Sequence, residues 1–430
     1  MSVLRNVALM GASTAMRLGF GLLTFVVMAR LLGPDAFGQV MLWLSVATLL
    51  SLIANFGFTP YVLREIGVRP TGALQVMSEV LAAKLLLTAS VALIGLVMLI
   101  WMQPETRILF GALLLAALAD AMTEFFNVGF RATNRFADET RLASVASFLQ
   151  FAIVSGAVWW ASDALVAAGA FMVSRLIVLV MTCFSQARYF AGLSVGSVAS
   201  GLRRIRAVFA YAIDFGLQSL FGQVDSLVLN FYVGPAAVGL YQAGMRLFNG
   251  GAQAANVLAN VFLPRAAQVA NDAQKFGIES ARVQWTFVAI GLCFGLLLAI
   301  VAEPLVMVLF GSSFKGLVDV LPWLGLLFFV RFFAASWGVV LTSAGQQKFR
   351  AVANFVQWIV VLGFAALVVP RWGVVGWVWS LVLGNLVLSI AYCVKGMRVA
   401  QVTRVQPICA GLASLTFLPF LHLPLLFTAP

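Results

Sequence analysis

The feature that most constrains this sequence is a succession of about a dozen long apolar stretches with short polar breaks between them. A helix that crosses the hydrocarbon core of a bilayer needs roughly 20 mostly apolar residues, and each stretch is long enough for one crossing. Hydrophobic residues make up 62% of the 430 residues and charged residues 10%, whereas a soluble domain is about half apolar and about a quarter charged. The sequence therefore predicts an all-α, polytopic membrane protein.

Twelve spans are predicted, and a thirteenth is left open. The twelve cover residues 7–31, 37–60, 73–102, 107–131, 141–161, 163–186, 207–233, 236–263, 283–304, 318–343, 350–370 and 373–396. A last apolar stretch, at 407–427, contains Pro419 and Pro424. It is either a thirteenth span or a bent, re-entrant segment.

The orientation of the chain follows from its loop charges, because cytoplasmic loops carry an excess of Lys and Arg. Of the 27 Lys and Arg residues, 18 lie at the N-terminus and in every second loop from there, and only 4 lie in the opposite loops. The remaining five lie inside predicted spans: Arg17, Lys84, Arg175, Arg246 and Arg331. We therefore expect a cytoplasmic N-terminus.

Two pairs of similar turns indicate an internal duplication. The outer turns at 32–38 and 233–239 share a Gly-Pro pattern, and the cytoplasmic turns at 132–136 and 345–349 also resemble each other. Each unit would hold six spans, so the two lobes form a parallel repeat with a cavity between the bundles. The predicted parts are an N-lobe of residues 1–190, a cytoplasmic linker of 191–206, a C-lobe of 207–400 and an additional hydrophobic segment of 401–430.

The eighth predicted span carries a polar stripe on one helical face, because its polar residues recur at i, i+4, i+7, i+11, i+14 and i+18. They are Gln242, Arg246, Asn249, Gln253, Asn256 and Asn260. Amides in membrane helices can simply bind helices together, at about 0.6–2 kcal/mol for each hydrogen bond. Six polar groups, one of them an arginine, exceed that need and favour a wet wall that binds sugars.

Charged residues on other spans leave two interpretations open. The seventh span places Asp214, Gln218 and Asp225 on one face, and the fourth does the same with Asp120, Glu124, Asn127 and Arg131. Four arginines lie too deep to reach an interface easily: Arg17, Arg175, Arg246 and Arg331. Each guanidinium either pairs with one of these carboxylates or faces the lumen and receives a phosphate, which it matches with two parallel hydrogen bonds.

Several functions receive no support from the sequence. The four cysteines, Cys183, Cys293, Cys393 and Cys409, lie in apolar stretches without metal-ligand spacing, so neither disulfides nor a metal site is predicted. The sequence has no Gly-rich phosphate loop with Lys, no nucleophile elbow and no His cluster, so we expect no cofactor and no enzyme. The net charge of +12 is scattered over loops, which argues against a nucleic-acid partner.

Four short patterns carry a resemblance to a known family. They are Arg30–Gly38, Asn55-Phe56-Gly57, Asp225–Leu229 and Val238–Ala243. With them the chain resembles the polysaccharide flippase branch of the multidrug/oligosaccharidyl-lipid/polysaccharide exporter superfamily, which includes O-antigen and exopolysaccharide translocases. Lipid II flippases of the superfamily usually have fourteen spans, and the smaller number here favours the polysaccharide branch.

The resemblance implies two six-helix lobes around a V-shaped cavity, alternating access and location in the bacterial inner membrane. It also implies an undecaprenyl-diphosphate-linked oligosaccharide as substrate, and a polysaccharide polymerase or glycosyltransferases as partners. We expect the diphosphate to pair with Arg17 or Arg246, with Arg175 and Arg331 as further cavity residues. Outward movement of each negative charge gains about 2.3 kcal/mol per 100 mV of inside-negative potential.

A proton or a sodium ion on Asp225 or Asp214 could reset the carrier. The main alternative is a cation-coupled multidrug exporter, whose cavity should be acidic and aromatic. The mixed deep charges, with prominent arginines, disfavour a cationic cargo. A membrane glycosyltransferase or polymerase would need large hydrophilic loops, whereas the longest loops here have about 20 residues.

Overall fold

A backbone in lipid must satisfy its hydrogen bonds within its own segment, and the apolar stretches therefore fold as helices. The computed structural model describes residues 3–68, 72–132, 135–187, 192–220, 222–400 and 405–421. Its α-helices are α1 (Val3–Asn55), α2 (Phe58–Val68), α3 (Ala73–Ile100), α4 (Pro104–Ala132), α5 (Phe136–Trp160), α6 (Ala164–Ala187), α7 (Val198–Leu220), α8 (Val224–Tyr232), α9 (Pro235–Gln268), α10 (Ala273–Ile300), α11 (Ala302–Leu309), α12 (Leu317–Ser343), α13 (Gln347–Ala400) and α14 (Val405–Ser414). Two 3₁₀ helices cover Ser312–Phe314 and Leu415–Phe420.

The predicted all-α, polytopic class is confirmed. Among the described residues, eight helical stretches are long and apolar enough to cross a membrane, and two of them, Met16–Ile66 and Gln347–Ala400, are each long enough for two predicted spans. Within each of these long stretches a glycine makes the turn between the two predicted spans: Gly33 (φ 75°) in α1 and Gly373 (φ 53°) in α13. Glycine adopts such a backbone without the steric cost that a side chain would bring.

Three spans that the sequence predicts as single segments are broken, and in one of them, 283–304, α10 ends at Ile300 and α11 begins at Ala302. The second predicted span, 37–60, ends its first helix at Asn55, and a new helix begins at Phe58. Phe56 (φ 46°) is the one non-glycine residue with positive φ among the described residues, and Gly57 follows with φ 68°. The seventh predicted span, 207–233, consists of α7 and α8, with turn residues 222–223 before α8.

Contacts within the chain group it into two compact units, Met1–Asn230 and Phe231–Pro430. In the first unit α1 packs against α4 and α5, α4 packs against α6, and α3 packs against α7. One core cluster joins Phe58, Val76, Phe125 and Val208 from four helices. Helices α7 and α8 thus group mainly with the first unit. The lobes predicted from the internal duplication place the same residues in the C-lobe, and that division stays a prediction.

The second unit is built around α12, which packs against α9, α10 and α13. Gly295 and Gly325 let the backbones of α10 and α12 approach closely, since a Cβ on Gly295 would lie 2.6 Å from the Gly325 carbonyl oxygen. Phe417, in the segment after α14, is fully buried against Phe329 with ring centroids 6.0 Å apart. The segment 405–421 therefore packs on α10 and α12 as part of this unit.

Asp272 caps the N-terminus of α10 by accepting a hydrogen bond from the Lys275 backbone N–H at 3.1 Å. This bond, together with the Lys275 side chain, lowers the pKa of Asp272 below its usual value. A side-chain acceptor at this position satisfies one of the free N–H groups of the first turn. The cap fixes where the helix begins on the predicted cytoplasmic side.

Candidate functional site

The predicted stripe of the eighth span lies on α9 of the second unit. Near the N-terminal end, Gln242 is buried and Arg246 is half-buried. Further along, Asn249 and Asn256 are exposed, and the Asn256 amide donates a hydrogen bond to Gln253 Oε1 at 3.2 Å. The side chain of Asn260 lies outside the described residues. The stripe therefore presents exposed amides on a helix of a membrane protein, where lipid alone would offer them no hydrogen bonds.

Arg331, on the neighbouring helix α12, contacts the helix that carries this stripe. Its guanidinium carbon is 5.4 Å from the centroid of the Phe248 ring. Phe248 directly precedes the stripe residue Asn249 in α9. The structure thus brings an arginine of the tenth predicted span against the helix that carries the polar stripe.

The setting of Arg331 is unusual for a cation in a membrane helix. The residue is the fifteenth of 27 in α12, and its side chain is exposed. Within the described ranges of the chain it forms neither an ion pair nor a hydrogen bond. A guanidinium at the centre of a membrane helix costs about 2.5–3.5 kcal/mol on insertion scales. A cation–π contact with Phe248 offsets only part of that cost, and an anionic ligand would offset more.

The Phe248 ring that contacts Arg331 belongs to a cluster of packed aromatic side chains. The Phe248 ring packs edge-on against Phe328, and Phe328 stacks on Phe332 with ring centroids 4.4 Å apart. Phe294 adds a fourth ring, with its centroid 4.6 Å from that of Phe328. Close-packed aromatic side chains leave few alternative rotamers, so the ring beneath the guanidinium is held in place.

Arg175 in the first unit has a different environment. Its Nη1 lies 2.8 Å from Asp120 Oδ1 across α6 and α4, and its guanidinium lies 5.1 Å from the Phe171 ring centroid. The sequence left open whether each deep arginine pairs with a carboxylate or faces the lumen, and in this structure Arg175 pairs with a carboxylate. Arg131 is paired in the same way, with Glu124 at 2.7 Å and Glu139 at 2.8 Å.

The sequence assigned no role to Lys84, although the structure gives it a distinctive place. Its side chain is 2% exposed, and Nζ donates hydrogen bonds to Asn55 Oδ1 at 3.0 Å and to the Ala54 carbonyl oxygen at 3.3 Å. The ammonium therefore caps the C-terminal end of α1, where the helix dipole favours a positive charge. Lys84 therefore fixes the chain at the break Asn55-Phe56-Gly57. In the sequence, the only indication of this role is a single lysine inside an apolar stretch.

Two further predicted residues, Arg17 and Asp225, lie in the first unit. Arg17 is exposed on α1, and among the described residues it forms no ion pair. Asp225 is half-buried in the first turn of α8 and accepts a hydrogen bond from the Ser226 backbone N–H at 2.7 Å. The side chain of Asp214 lies outside the described residues. Asp225 thus lies just after a helix break, and discontinuous helices often line ion sites in transporters.

No group of three or more potential metal ligands occurs in the parts of the chain that the structure describes. The groups that the structure does bring together are amides, arginines and aromatic rings. Amides donate and accept hydrogen bonds with hydroxyl groups, and an arginine binds phosphate through parallel hydrogen bonds. The face formed by α9 and Arg331 is therefore suited to bind a molecule that carries both hydroxyl groups and a phosphate.

Comparison with known protein families gives one match. Residues 3–270, more than half of the chain, match the family described as "Polysaccharide biosynthesis protein". A comparison with curated proteins gives no match.

Solved structures of similar fold cover nearly the whole chain. One is a multidrug resistance MATE family transporter of the MOP superfamily in an inward-facing conformation, with a TM-score of 0.68, 17% identity, and coverage of 90% of this chain and 95% of that chain. Another is the lipid II flippase MurJ in an inward closed conformation, with a TM-score of 0.67, 12% identity, and coverage of 95% and 97%. An outward-facing MATE family transporter has a TM-score of 0.61, 18% identity, and coverage of 93% and 95%. At these identities the similarity establishes the fold.

Proposed function

The chain belongs to the polysaccharide biosynthesis protein family, and from this premise we propose that it is a flippase for a lipid-linked oligosaccharide. The substrate is an oligosaccharide on undecaprenyl diphosphate, and it moves from the cytoplasmic to the periplasmic leaflet of the bacterial inner membrane. The chain performs this transport without acting as an enzyme. Its N-terminus is cytoplasmic, and a polysaccharide polymerase or glycosyltransferases would use or supply the substrate.

One observation carries this proposal: the exposed Arg331 has no carboxylate partner among the described residues and contacts Phe248 of α9, the helix that carries the exposed amides. In this proposal Arg331 binds the diphosphate, and Arg246 contributes a second positive charge from the same side. The amides of Asn249, Gln253 and Asn256 hydrogen-bond to sugar hydroxyls and keep them from lipid. Arg175 is already paired with Asp120, so it has a structural role here rather than a role in binding.

Transport proceeds by alternating access, and two forces can drive it. Each negative charge that moves outward gains about 2.3 kcal/mol per 100 mV of inside-negative potential, so the diphosphate is driven by voltage. A proton or a sodium ion on Asp225, with Asp214 as a second carboxylate, resets the carrier. The position of Asp225 beside the break between α7 and α8 supports this part of the proposal. Arg17, exposed on α1, would meet the head group on its way in.

The test is genetic and biochemical. The gene is deleted in its host, and the strain is complemented with wild type, Arg331→Ala or Arg246→Ala, with Arg371→Ala on the predicted outer side as the matched control. Lipid-linked intermediates are then extracted and assigned to a leaflet by their accessibility to a glycosidase. We expect cytoplasmic accumulation in the deletion strain, rescue by wild type and Arg371→Ala, and failure of Arg331→Ala. Normal intermediates in the deletion strain would refute the flippase function.

A multidrug exporter is the second candidate, because two of the structures of similar fold are multidrug resistance transporters. That function predicts a strain that is hypersensitive to cationic drugs and has normal lipid intermediates. The cation at Arg331 disfavours it, since a positively charged cargo would be repelled from the α9 face. The same deletion strain therefore distinguishes the two functions.

A further inference from the structure

The first part of α7 has three distinct faces. Gly201 and Val208 are buried against the rest of the first unit, and a Cβ on Gly201 would lie 3.0 Å from the Ala83 backbone N in α3. Val198, Leu202 and Phe209 are between 52% and 61% exposed and recur at i, i+4 and i+11, which places them on one side. Arg203 and Arg206 are exposed on a third side, next to the apolar one. Helices with an exposed apolar face bordered by arginines lie in the membrane interface.

This segment is fixed to α3 rather than free. Arg204 Nε lies 2.7 Å from Glu79 Oε2, and Arg204 also hydrogen-bonds to the Tyr61 hydroxyl. Burial opposes the charge on Arg204, but these two partners outweigh it and raise the pKa of Arg204. The Gly196 backbone N–H donates to the Ser78 carbonyl oxygen at 3.0 Å. The Arg204 side chain is therefore bound within the first unit. The nearby Arg203 and Arg206 differ from it in this respect.

Arg203 and Arg206 form no ion pair and no hydrogen bond with any residue that the structure describes. Arg203 nevertheless lies close enough to Glu79 for the two charges to interact. It is therefore near the cytoplasmic end of α3. Two adjacent exposed arginines on the predicted cytoplasmic side attract anionic lipid head groups.

An apolar cavity of about 210 Å³ lies between α3 and the residues that lead into α7, and its lining includes Val198, which precedes Arg203 by five residues in α7. We call it the α3–α7 cleft, and its lining includes Leu85, Ala89, Val195 and Val198. Leu85 is 39% and Val195 59% exposed, so the cleft is open to the surrounding lipid. In lipid, an acyl chain binds such a surface through van der Waals contacts rather than through a hydrophobic driving force.

We propose that the α3–α7 cleft, with Arg203 and Arg206, binds an anionic phospholipid of the cytoplasmic leaflet. The two guanidinium groups hold the head-group phosphate, and one acyl chain occupies the cavity. Both halves of the site match a single phospholipid, because the start of α7 carries the two positive charges and also contributes Val198 to the apolar cavity. The bound lipid stabilises the start of α7, which leads to the break before α8 and to Asp225. The protein is then more stable, and more active, in membranes that contain anionic lipid.

The binding experiment uses the purified full chain in detergent, with phosphatidylglycerol or phosphatidylcholine of the same acyl composition added. Native mass spectrometry counts bound lipids and gives their affinities, and thermal unfolding reports stabilisation. We expect tighter binding of phosphatidylglycerol than of phosphatidylcholine. The double variant Arg203→Gln/Arg206→Gln should weaken phosphatidylglycerol binding about 30-fold, the loss expected for two arginines at an anionic surface. Ala89→Phe, which fills the cavity, should weaken the binding of both lipids.

Matched controls separate this site from general effects of charge and size. Arg282→Gln/Arg398→Gln removes two other exposed arginines of the predicted cytoplasmic side, and Leu93→Phe changes an exposed residue of α3 outside the cleft lining. Both should leave lipid affinity unchanged. Equal binding of the two lipids by wild type, an equal loss in the control variants, or full binding by Ala89→Phe would overturn the proposal. Displacement of the lipid by millimolar glycerol phosphate would also overturn it, since the site would then take the free phosphate.

Discussion

Replacing Arg331 by Gln should separate substrate binding from stability. In the described part of the chain Arg331 has no carboxylate partner, so the substitution leaves no buried anion behind. It removes the cation–π contact with Phe248, worth about 0.5–2 kcal/mol, but it also removes the cost of a membrane-embedded charge, about 2.5–3.5 kcal/mol. The removed cost exceeds the lost contact by about 0.5–3 kcal/mol, so the unfolding temperature should stay close to that of wild type or rise.

The affinity for undecaprenyl diphosphate should change much more than the stability in Arg331→Gln. A hydrogen bond to a charged group contributes about 1.5–3 kcal/mol, which corresponds to roughly a 10- to 150-fold loss of affinity at 25 °C. The assay is a titration of purified protein with undecaprenyl diphosphate by calorimetry, with thermal unfolding on the same samples. Arg371→Gln, which changes an exposed arginine on the predicted outer side, is the control and should bind like wild type. Binding by Arg331→Gln within twofold of wild type would refute the role of Arg331, and a large loss of stability without ligand would refute the energy comparison.

Three further predictions concern the sugar face, the coupling ion and helix packing. The double variant Asn249→Leu/Asn256→Leu alters exposed side chains and should keep the thermal stability of wild type, while transport of the lipid-linked oligosaccharide in vesicles falls at least tenfold; full transport would show that the α9 face does not hold the sugars. Asp225→Asn should still transport under a membrane potential but lose the response to an imposed proton or sodium gradient, so a retained response in a vesicle assay would end the coupling hypothesis. Gly295→Ala should lower the free energy of unfolding by about 1–3 kcal/mol because its Cβ would meet the Gly325 carbonyl oxygen. The control is Gly363→Ala, where a Cβ would have no atom within 4 Å, and it should be neutral or slightly stabilising. Equal unfolding temperatures for the two variants would contradict this packing.

Local sequence patterns predicted part of this structure well. The Gly-Pro pairs at Gly33-Pro34 and Gly234-Pro235 marked turns, and both glycines have positive φ in the structure. The spacing of the polar residues in the eighth span placed them on one helix. Hydropathy alone did not reveal the breaks at Asn55-Phe56-Gly57 and before α8, because the sequence on both sides of each break stays apolar.

The partners of the deep charges depend on how distant helices pack, and the sequence could not supply them. Arg175 and Asp120 are 55 residues apart and meet only because α4 packs on α6. Lys84 belongs to the third predicted span, whereas its partners Ala54 and Asn55 come from the end of α1. The contact of Arg331 with Phe248 likewise joins α12 to α9. Helix–helix packing of this kind has no periodic signal in a single sequence.

The most direct test of the proposed function is transport by the purified protein in vesicles. The chain is reconstituted with an undecaprenyl-diphosphate-linked oligosaccharide, a potassium diffusion potential is imposed, and a glycosidase added outside measures the exposed substrate over time. Without ATP, substrate should move toward the positive side, and reversing the potential should reverse the direction, since a gradient of 100 mV contributes about 2.3 kcal/mol per charge. Arg331→Gln vesicles should resemble protein-free ones. Movement no faster than in protein-free vesicles at either potential would contradict the flippase function.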